Sequence, residues 1–523
     1  MVYTKKHPAL LIMGLVMLAV GYLIGGGYAD GFVKYLGIAR TVPEIKTFTL
    51  YFGIGSVVVG AWHLFGSHKE GSLDYYSSAF AGGIFILSVA MIVKWFLAPW
   101  VAVLSKALGP VMADKYLHQV LGLNYVVIGI VSGMIIVNFI GIPSWAQNGI
   151  RLSRLGLKTG VILLGTLYSL AELANLGKLS VVLIGFFVLG SVGMVLWMGT
   201  RRKIPNSMGG VLSAGVGVCG VSAAVASAPV VQAKSEEIAY TIGTILVWGV
   251  GCMFLFPVIG HVLGMGHIQF GAWAGTGILN SAQVAGAALA FQPNGIETLK
   301  VAEIFNITRV LFLPIIVLWL AVWYVRKEEA AGAKDIKQVD TTRVIFEKFP
   351  VFVLGFILMF ALSSTGIFAP AQHYQGKYFD NKIKADKLLS AKDLATVAAE
   401  AGKVQPKAQK EALARLIENK KVMSVEDDTA LRGLANSGAL SKGATAVLKK
   451  AHGAVYHTAK KIRTFRDWIT WLFAFGLTGL GMQITIAAMK QAGGQPLVIG
   501  GVVGTCKAVF SLIVIMLFVR ETI

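Results

Sequence analysis

The sequence predicts an all-α, polytopic membrane protein with inverted repeats and two discontinuous helices. Three observations carry that reading. The 523 residues are 55% hydrophobic and 14% charged, where a soluble domain carries roughly 25% charge. The apolar residues fall in blocks of about 20, the length that crosses about 30 Å of hydrocarbon; a β-barrel would show short alternating segments instead. Finally, two charge-free blocks, 204–233 and 270–292, are crowded with glycine, alanine and serine. Glycine clusters weaken helices, and in lipid a broken helix survives only where protein or a cavity satisfies its backbone.

Along the chain, Lys5-Lys6 precede an apolar run to Tyr28. No Ala-x-Ala cleavage site follows, so this is expected to be a retained first helix and not a signal peptide. The spans are expected near 8–28, 47–66 and 77–98, then 119–141, 157–174, 180–199, 208–230, 238–264, 270–292, 303–324 and 348–370, and finally 466–488 and 496–520. That makes thirteen, with 99–112 a candidate interfacial helix and 270–292 a candidate re-entrant segment. Residues 1–112 form an N-terminal extension of three spans, 113–370 the first part of a transporter core, 371–465 a soluble helical insert and 466–523 the last two spans.

The net charge of +21 sits in the loops, so membrane orientation explains it and nucleic acid is not needed. Arg151, Arg154 and Lys158, then Arg201, Arg202 and Lys203, then Arg326, Lys327, Lys334, Lys337 and Arg343 all fall on one side by this span count. The positive-inside rule makes that side cytoplasmic, together with the N-terminus. Residues 371–465 then lie outside, because long segments cross largely regardless of charge. Within them, Ser390 to Gly402 and Ser441 to Gly453 read as amphipathic helices with a serine cap and a glycine stop. The insert is either a solvated decoration or a docking element. Cys219, Cys252 and Cys506 all fall in spans and are expected to be buried and unpaired.

An internal echo supports an inverted repeat. Leu164-Gly165 is followed by Gly177, and Leu480-Gly481 by Gly493 at the same spacing, each then leading into another span. The two helices enter the membrane from opposite sides, as inverted-topology repeats do.

The expected substrate-binding residues are Gly215, Gly217, Gly220 and Ser222 at one break, and Gly275, Thr276, Asn280, Ser281 and Gln283 at the other. Broken half-helices offer N–H groups to anions and carbonyls to cations; the same small residues also serve helix packing. Arg309 and Lys507 complete the set, because charges inside spans are functional by default. Lys507 is expected to face an anionic substrate or Glu172, read as the one acid embedded in a core span, and Arg309 either substrate or broken-helix carbonyls. Lys94, beside Trp95 near a helix end, is expected to snorkel to the interface. No H-E-x-x-H, C-x-x-C, Walker loop or serine elbow occurs. No catalytic residue, metal centre or cofactor is read, and transport would run on a gradient or passively.

The runs AGVGVCGVSAAVASAPVVQAKSEEIA, FGAWAGTGILNSAQVAGAA, TRVLFLP and LTGLGMQITIAAMKQAGGQPLVIGG resemble the YeiH-like sulfate exporter family over about 119–370 and 466–520. The resemblance implies a bacterial inner-membrane protein, a proposed role in exporting sulfate, and distant kinship with inverted-repeat transporters of the bile-acid-symporter and sodium/proton-antiporter kind. Cys219-Gly220, Gln283-Val284 and Arg309 match the family's Cys-Gly, Gln-Val and Arg. Leu279 and Asn280 stand where the family usually has a His-acid pair, and Asn306 where it has a basic residue; these departures put proton coupling at that point in doubt. The expected function is secondary transport of a small inorganic or sulfur-containing anion by alternating access, with the anion and the lipid bilayer as partners, no nucleic acid, and a homo-oligomer left open. The alternatives are a sodium-coupled organic-anion carrier and a non-transporting scaffold.

Overall fold

The computed structural model describes residues 6–66, 72–112, 115–121, 123–168, 170–292, 296–330, 351–370, 373, 378–380, 388–436, 440–490 and 493–519. Lys334, Lys337, Arg343 and the side chain of Glu172 lie outside the described residues. The described chain is helical apart from a small antiparallel ladder of Pro110–Met112 with Lys115–Tyr116 and an isolated bridge between Asp380 and Tyr456. It divides into two compact units: residues 1–162, 171–355 and 469–523, and residues 163–170 with 356–468.

The first unit begins with α1 (Ala9–Gly25), α2 (Asp30–Leu36) and α3 (Val42–Phe65). Helices α1 and α3 touch backbone to backbone: a methyl group added at Gly60 would stand 2.6 Å from the amide nitrogen of Leu11. Small residues allow such approaches where lipid supplies no hydrophobic drive. α4 (Ser72–Ile92) runs through a π-turn at Val93–Leu97 into α5 (Ala98–Ala107). Pro99 lacks an N–H and its ring crowds the preceding turn, which the wider π-turn accommodates. On that turn Lys94 points inward and does not snorkel: its Nζ donates to Glu44 at 2.7 Å and lies over the Trp471 ring at 4.4 Å. Trp471 Nε1 donates to the same carboxylate at 2.6 Å.

Then come α6 (Leu117–Val120), α7 (Tyr125–Ile135), α8 (Gly149–Leu164) and the long α9 (Leu170–Arg201). The central helices are α10 (Asn206–Gly217), α11 (Val221–Ser227), α12 (Ser235–Val262), α13 (His267–Gly277), α14 (Ser281–Phe291), α15 (Glu297–Leu311) and α16 (Leu313–Ala330). After α17 (Val351–Ser364), the second unit holds α18 (Ala391–Ala398), α19 (Lys407–Asn419), α20 (Val425–Asn436) and α21 (Lys442–Gly453). The chain ends with α22 (Lys460–Gly481), α23 (Ile486–Lys490) and α24 (Gly494–Phe518).

Among the described residues, six helices are long and apolar enough to cross a membrane, or seven if the α1–α2 pair, bent by 86°, is one span. The sequence reading had thirteen. Blocks 208–230 and 270–292 each divide into two short helices. Tyr125–Ile140 and Val351–Ser364 are shorter than 18 residues. α8 and α22 carry charges, among them Arg151, Arg154, Arg463 and Arg466. Large apolar side chains stand exposed on the long helices, such as Phe186 and Val182 on α9 and Leu517 on α24, as lipid-facing positions do.

The second unit has its own core of Leu389, Val397, Leu413, Leu416, Leu434 and Leu448. Ser390 caps α18, accepting from the Asp393 backbone N–H at 3.1 Å, while Asp393 accepts in return from the Ser390 N–H at 3.0 Å. Ser441 caps α21. α18 stops at Ala398, before Gly402, which lies in a 3₁₀ turn. Cys219 and Cys252 are buried, Cys506 is half-buried, and all three are free.

Candidate functional site

Two interrupted helices meet in the first unit. α10 ends at Gly217; Val218 leaves helical geometry, and Gly220 takes φ +81° and ψ −128° before α11 begins. That backbone region is open essentially to glycine alone. α13 ends at Gly277, the chain is extended through Ile278 and Asn280, and α14 follows. The breaks touch: a methyl group on Gly220 would lie 3.0 Å from Asn280 Cα and 3.2 Å from Ile245 Cγ2. Trp248 and Leu279 pack in one cluster with Leu212, Val216, Ile499 and Val503. Thr241, Ile245, Trp248 and Gly249 of α12 follow the i, i+4, i+7, i+8 spacing of a single helix face, and that face runs beside both breaks.

Each interruption exposes carbonyls that helix continuation would have satisfied. Lys507, buried in α24, donates to the carbonyls of Val216 at 3.2 Å and Gly217 at 3.1 Å. Arg309, fully buried in α15, donates through Nη1 to the Ile278 carbonyl and through Nη2 to Asn306 Oδ1 at 2.9 Å. Asn306 Nδ2 in turn donates to Glu303 at 2.9 Å. The buried chain Glu303–Asn306–Arg309 therefore ends on the second break. One device serves both interruptions: a buried cation from another helix holds the carbonyl end of the first half-helix. Lys507 meets carbonyls and not an acid, and Arg309 takes the carbonyl-bonding role.

The N-terminal side of the second break is largely satisfied by its own chain. Asn280 caps α14, its side chain accepting from Ala282 N at 3.3 Å and its carbonyl from Gln283 N and Val284 N. Gly220 N is bonded to Gly215 O at 3.1 Å. The unfilled hydrogen-bonding capacity lies instead on side chains. Among the described residues, Ser281 Oγ, both amide atoms of Gln283, Thr241 Oγ1, Trp248 Nε1 and Arg309 Nε are buried without a partner. Such orphans are rare in native interiors and ask for an explanation. Gln283 is fully buried, its amide pressed against Gly249. Trp248 Nε1 and Arg309 Nε can only donate, so the set favours a solute rich in acceptors.

The remaining expected residues sort by role. Gly215 packs against Ile245, Gly217 against Val192, and Gly275 against Phe305 and the Ala302 carbonyl. Thr276 spends its hydroxyl on Ala272 O at 2.8 Å. Ser222 is exposed. Glu303 corrects the reading of Glu172 as the one embedded acid, for it is 1% exposed on α15. Its i, i+3, i+6 register with Asn306 and Arg309 was a signal in the sequence. Thr241 and Trp248 carried none, since a threonine and a tryptophan in an apolar span are ordinary.

Residues 94–417 match the family described as Conserved hypothetical protein 698. A UPF0324 membrane protein of Nitratidesulfovibrio vulgaris (strain Hildenborough) is 32% identical over 447 residues, 84% of this chain and 95% of the relative. The chain belongs to this family. A second UPF0324 membrane protein of the same organism is 39% identical over 260 residues, 50% of this chain and 71% of that protein. One from Clostridium tetani is 29% identical over 214 residues, 40% and 62% of the two chains. No solved structure matches. The YeiH-like resemblance agrees with UPF0324 membership, and the matched descriptions name no substrate. The family match also reaches beyond the stretches that carried the resemblance, for it enters the insert as far as residue 417. This UPF0324 chain is a membrane protein with several apolar helices.

Proposed function

We propose that the protein is a secondary transporter of a small inorganic or sulfur-containing anion, sulfate being the first to test. The observation that carries this reading is the contact of two interrupted helices at Gly220 and Asn280, with partnerless side-chain donors beside it. Interrupted helices that meet are the usual architecture of a transporter's central site. Gln283, Ser281 and Trp248 would hold the anion, while Arg309 and Lys507 keep the breaks open and supply positive charge. Alternating access would work by relative movement of the elements around this point. Thirteen spans, an inverted repeat and an inner-membrane location with a cytoplasmic N-terminus complete the proposal. Leu164 ends α8 and Gly481 ends α22, so both members of the sequence echo sit at helix ends.

Sodium coupling is disfavoured on a specific ground. The carbonyls that would coordinate sodium are already bonded to Lys507 and Arg309. Glu303 offers a titratable group for proton coupling in place of the family's missing His-acid pair. Purified protein in liposomes should carry labelled sulfate, or another anion from a competition panel, faster than empty vesicles. Wild-type vesicles no leakier than empty ones to every anion tried would overturn the reading.

A further inference from the structure

Apart from the helix crossing, the second unit holds a cluster of an acid and two histidines. α20 carries two successive buried acids, Asp427 and Asp428. Asp427 is paired with Arg415, its Oδ1 accepting from Nε at 3.0 Å and from Nη2 at 2.6 Å. Asp428 has no lysine or arginine within ion-pair distance among the described residues. Its oxygens face imidazoles instead. His452 Nδ1 lies 2.8 Å from Oδ1 and 3.0 Å from Oδ2, and His457 Nε2 lies 3.1 Å from Oδ2. The two rings are nearly parallel, with centroids 5.8 Å apart. One ligand atom from each of the three residues lies within 4.8 Å of the others.

We propose that Asp428, His452 and His457 bind one divalent transition-metal ion of the zinc type. Buried carboxylates are paired or coordinate metals, and this one has only uncharged-capable partners at ligand spacing. Donors at about 2.0–2.1 Å from a tetrahedral ion stand about 3.4 Å apart, so the Asp428–imidazole separations need little change. Two imidazoles with one carboxylate suit zinc; magnesium and calcium prefer oxygens alone. A fourth position stays open for water or a small anion. The ion would tie the segment leading into α22 to α20, reinforcing the Asp380–Tyr456 bridge beside it. The sequence hid the site because Asp428 and His452 are 24 residues apart and match no metal-binding spacing.

The test uses the full chain, purified in detergent with a tag free of histidine, stripped with EDTA and dialysed. Zinc chloride titration by calorimetry, with bound metal counted by mass spectrometry, should give about one specific zinc per chain, and zinc should raise the melting midpoint. His457→Gln and His452→Gln should each abolish the specific site and the zinc-induced rise, while magnesium chloride should do nothing to any of them. His457→Gln retains an amide N–H that can still donate to Asp428, so its zinc-free melting midpoint should stay with the wild type's. A wild type that binds no zinc, or variants that bind it with the same stoichiometry and the same rise, would overturn the proposal.

Discussion

Gln283 is where function and stability pull apart. Its amide is fully buried and unpartnered, and a buried unmade hydrogen bond costs about 1–3 kcal/mol. Gln283→Met, which conserves volume, should therefore leave the melting midpoint equal or higher while anion flux falls by about tenfold or more, the value of one lost hydrogen bond of ~1.4 kcal/mol. A variant that transports normally would remove Gln283 from the site. Glu303 makes a different prediction. Glu303→Gln keeps an acceptor for Asn306 and removes the titratable group. If the acid carries proton coupling, wild-type flux should respond to an imposed pH gradient and the variant's should not; equal responses would exclude Glu303. The departures from the resemblance also gain reasons at this scale. Leu279 fills an apolar cluster with Val195 and Ile499, where an ionisable side chain would be stranded. Asn306 both donates to Glu303 and accepts from Arg309, which a lysine or arginine, a donor only, could not do.

The helix breaks depend on one glycine more than on the others. Gly220→Ala places a Cβ in a left-handed backbone region and 3.0 Å from Asn280 Cα, a strain of about 1–3 kcal/mol. Gly251→Ala on α12 meets nothing within 4 Å and should be neutral or stabilising by about 0.5–1 kcal/mol. Thermal unfolding of the two variants in one detergent should separate them; equal midpoints would mean the break is not rigidly held. In the second unit, hydrogen bonds from Lys450 first, then from Ser390, pull the Asp393 carboxyl down to about 2. Its folded value lies below its unfolded one, so its contribution is complete above roughly pH 4 and fades as pH falls toward 2. Asp393→Asn should flatten that part of the stability–pH curve, followed by circular dichroism. The positions of both interruptions were legible as charge-free glycine clusters. Their contact was not, because it depends on packing between segments about 60 residues apart.

Across the whole chain, the proposed orientation is open to direct measurement. In a background lacking Cys219, Cys252 and Cys506, a cysteine introduced at Lys203 should react with an impermeant maleimide only after the membrane is opened. One at Lys403 in the insert should react in intact spheroplasts. Both reacting alike would reverse or dissolve the topology drawn from the basic loops. Removal of residues 371–465 separates a carrier from a scaffold, since a carrier should retain anion flux without them. The span count shows where composition stops being informative. Hydropathy and length alone mark 208–230 and 270–292 as ordinary spans; their glycine clusters mark them as broken, and each is a pair of half-helices.

Composition and hydrophobic run length alone determined that this chain is a helical membrane protein, because burial of backbone in hydrocarbon leaves few other solutions. Local glycine content marked where helices would yield, since the cost of a glycine is paid within its own turn. The tertiary structure alone decided that Lys507 and Arg309 close the carbonyl ends of those helices and that Asp428 faces two histidines. Each of these joins different helices, and its geometry follows from how whole helices pack and not from any residue's neighbours in the chain.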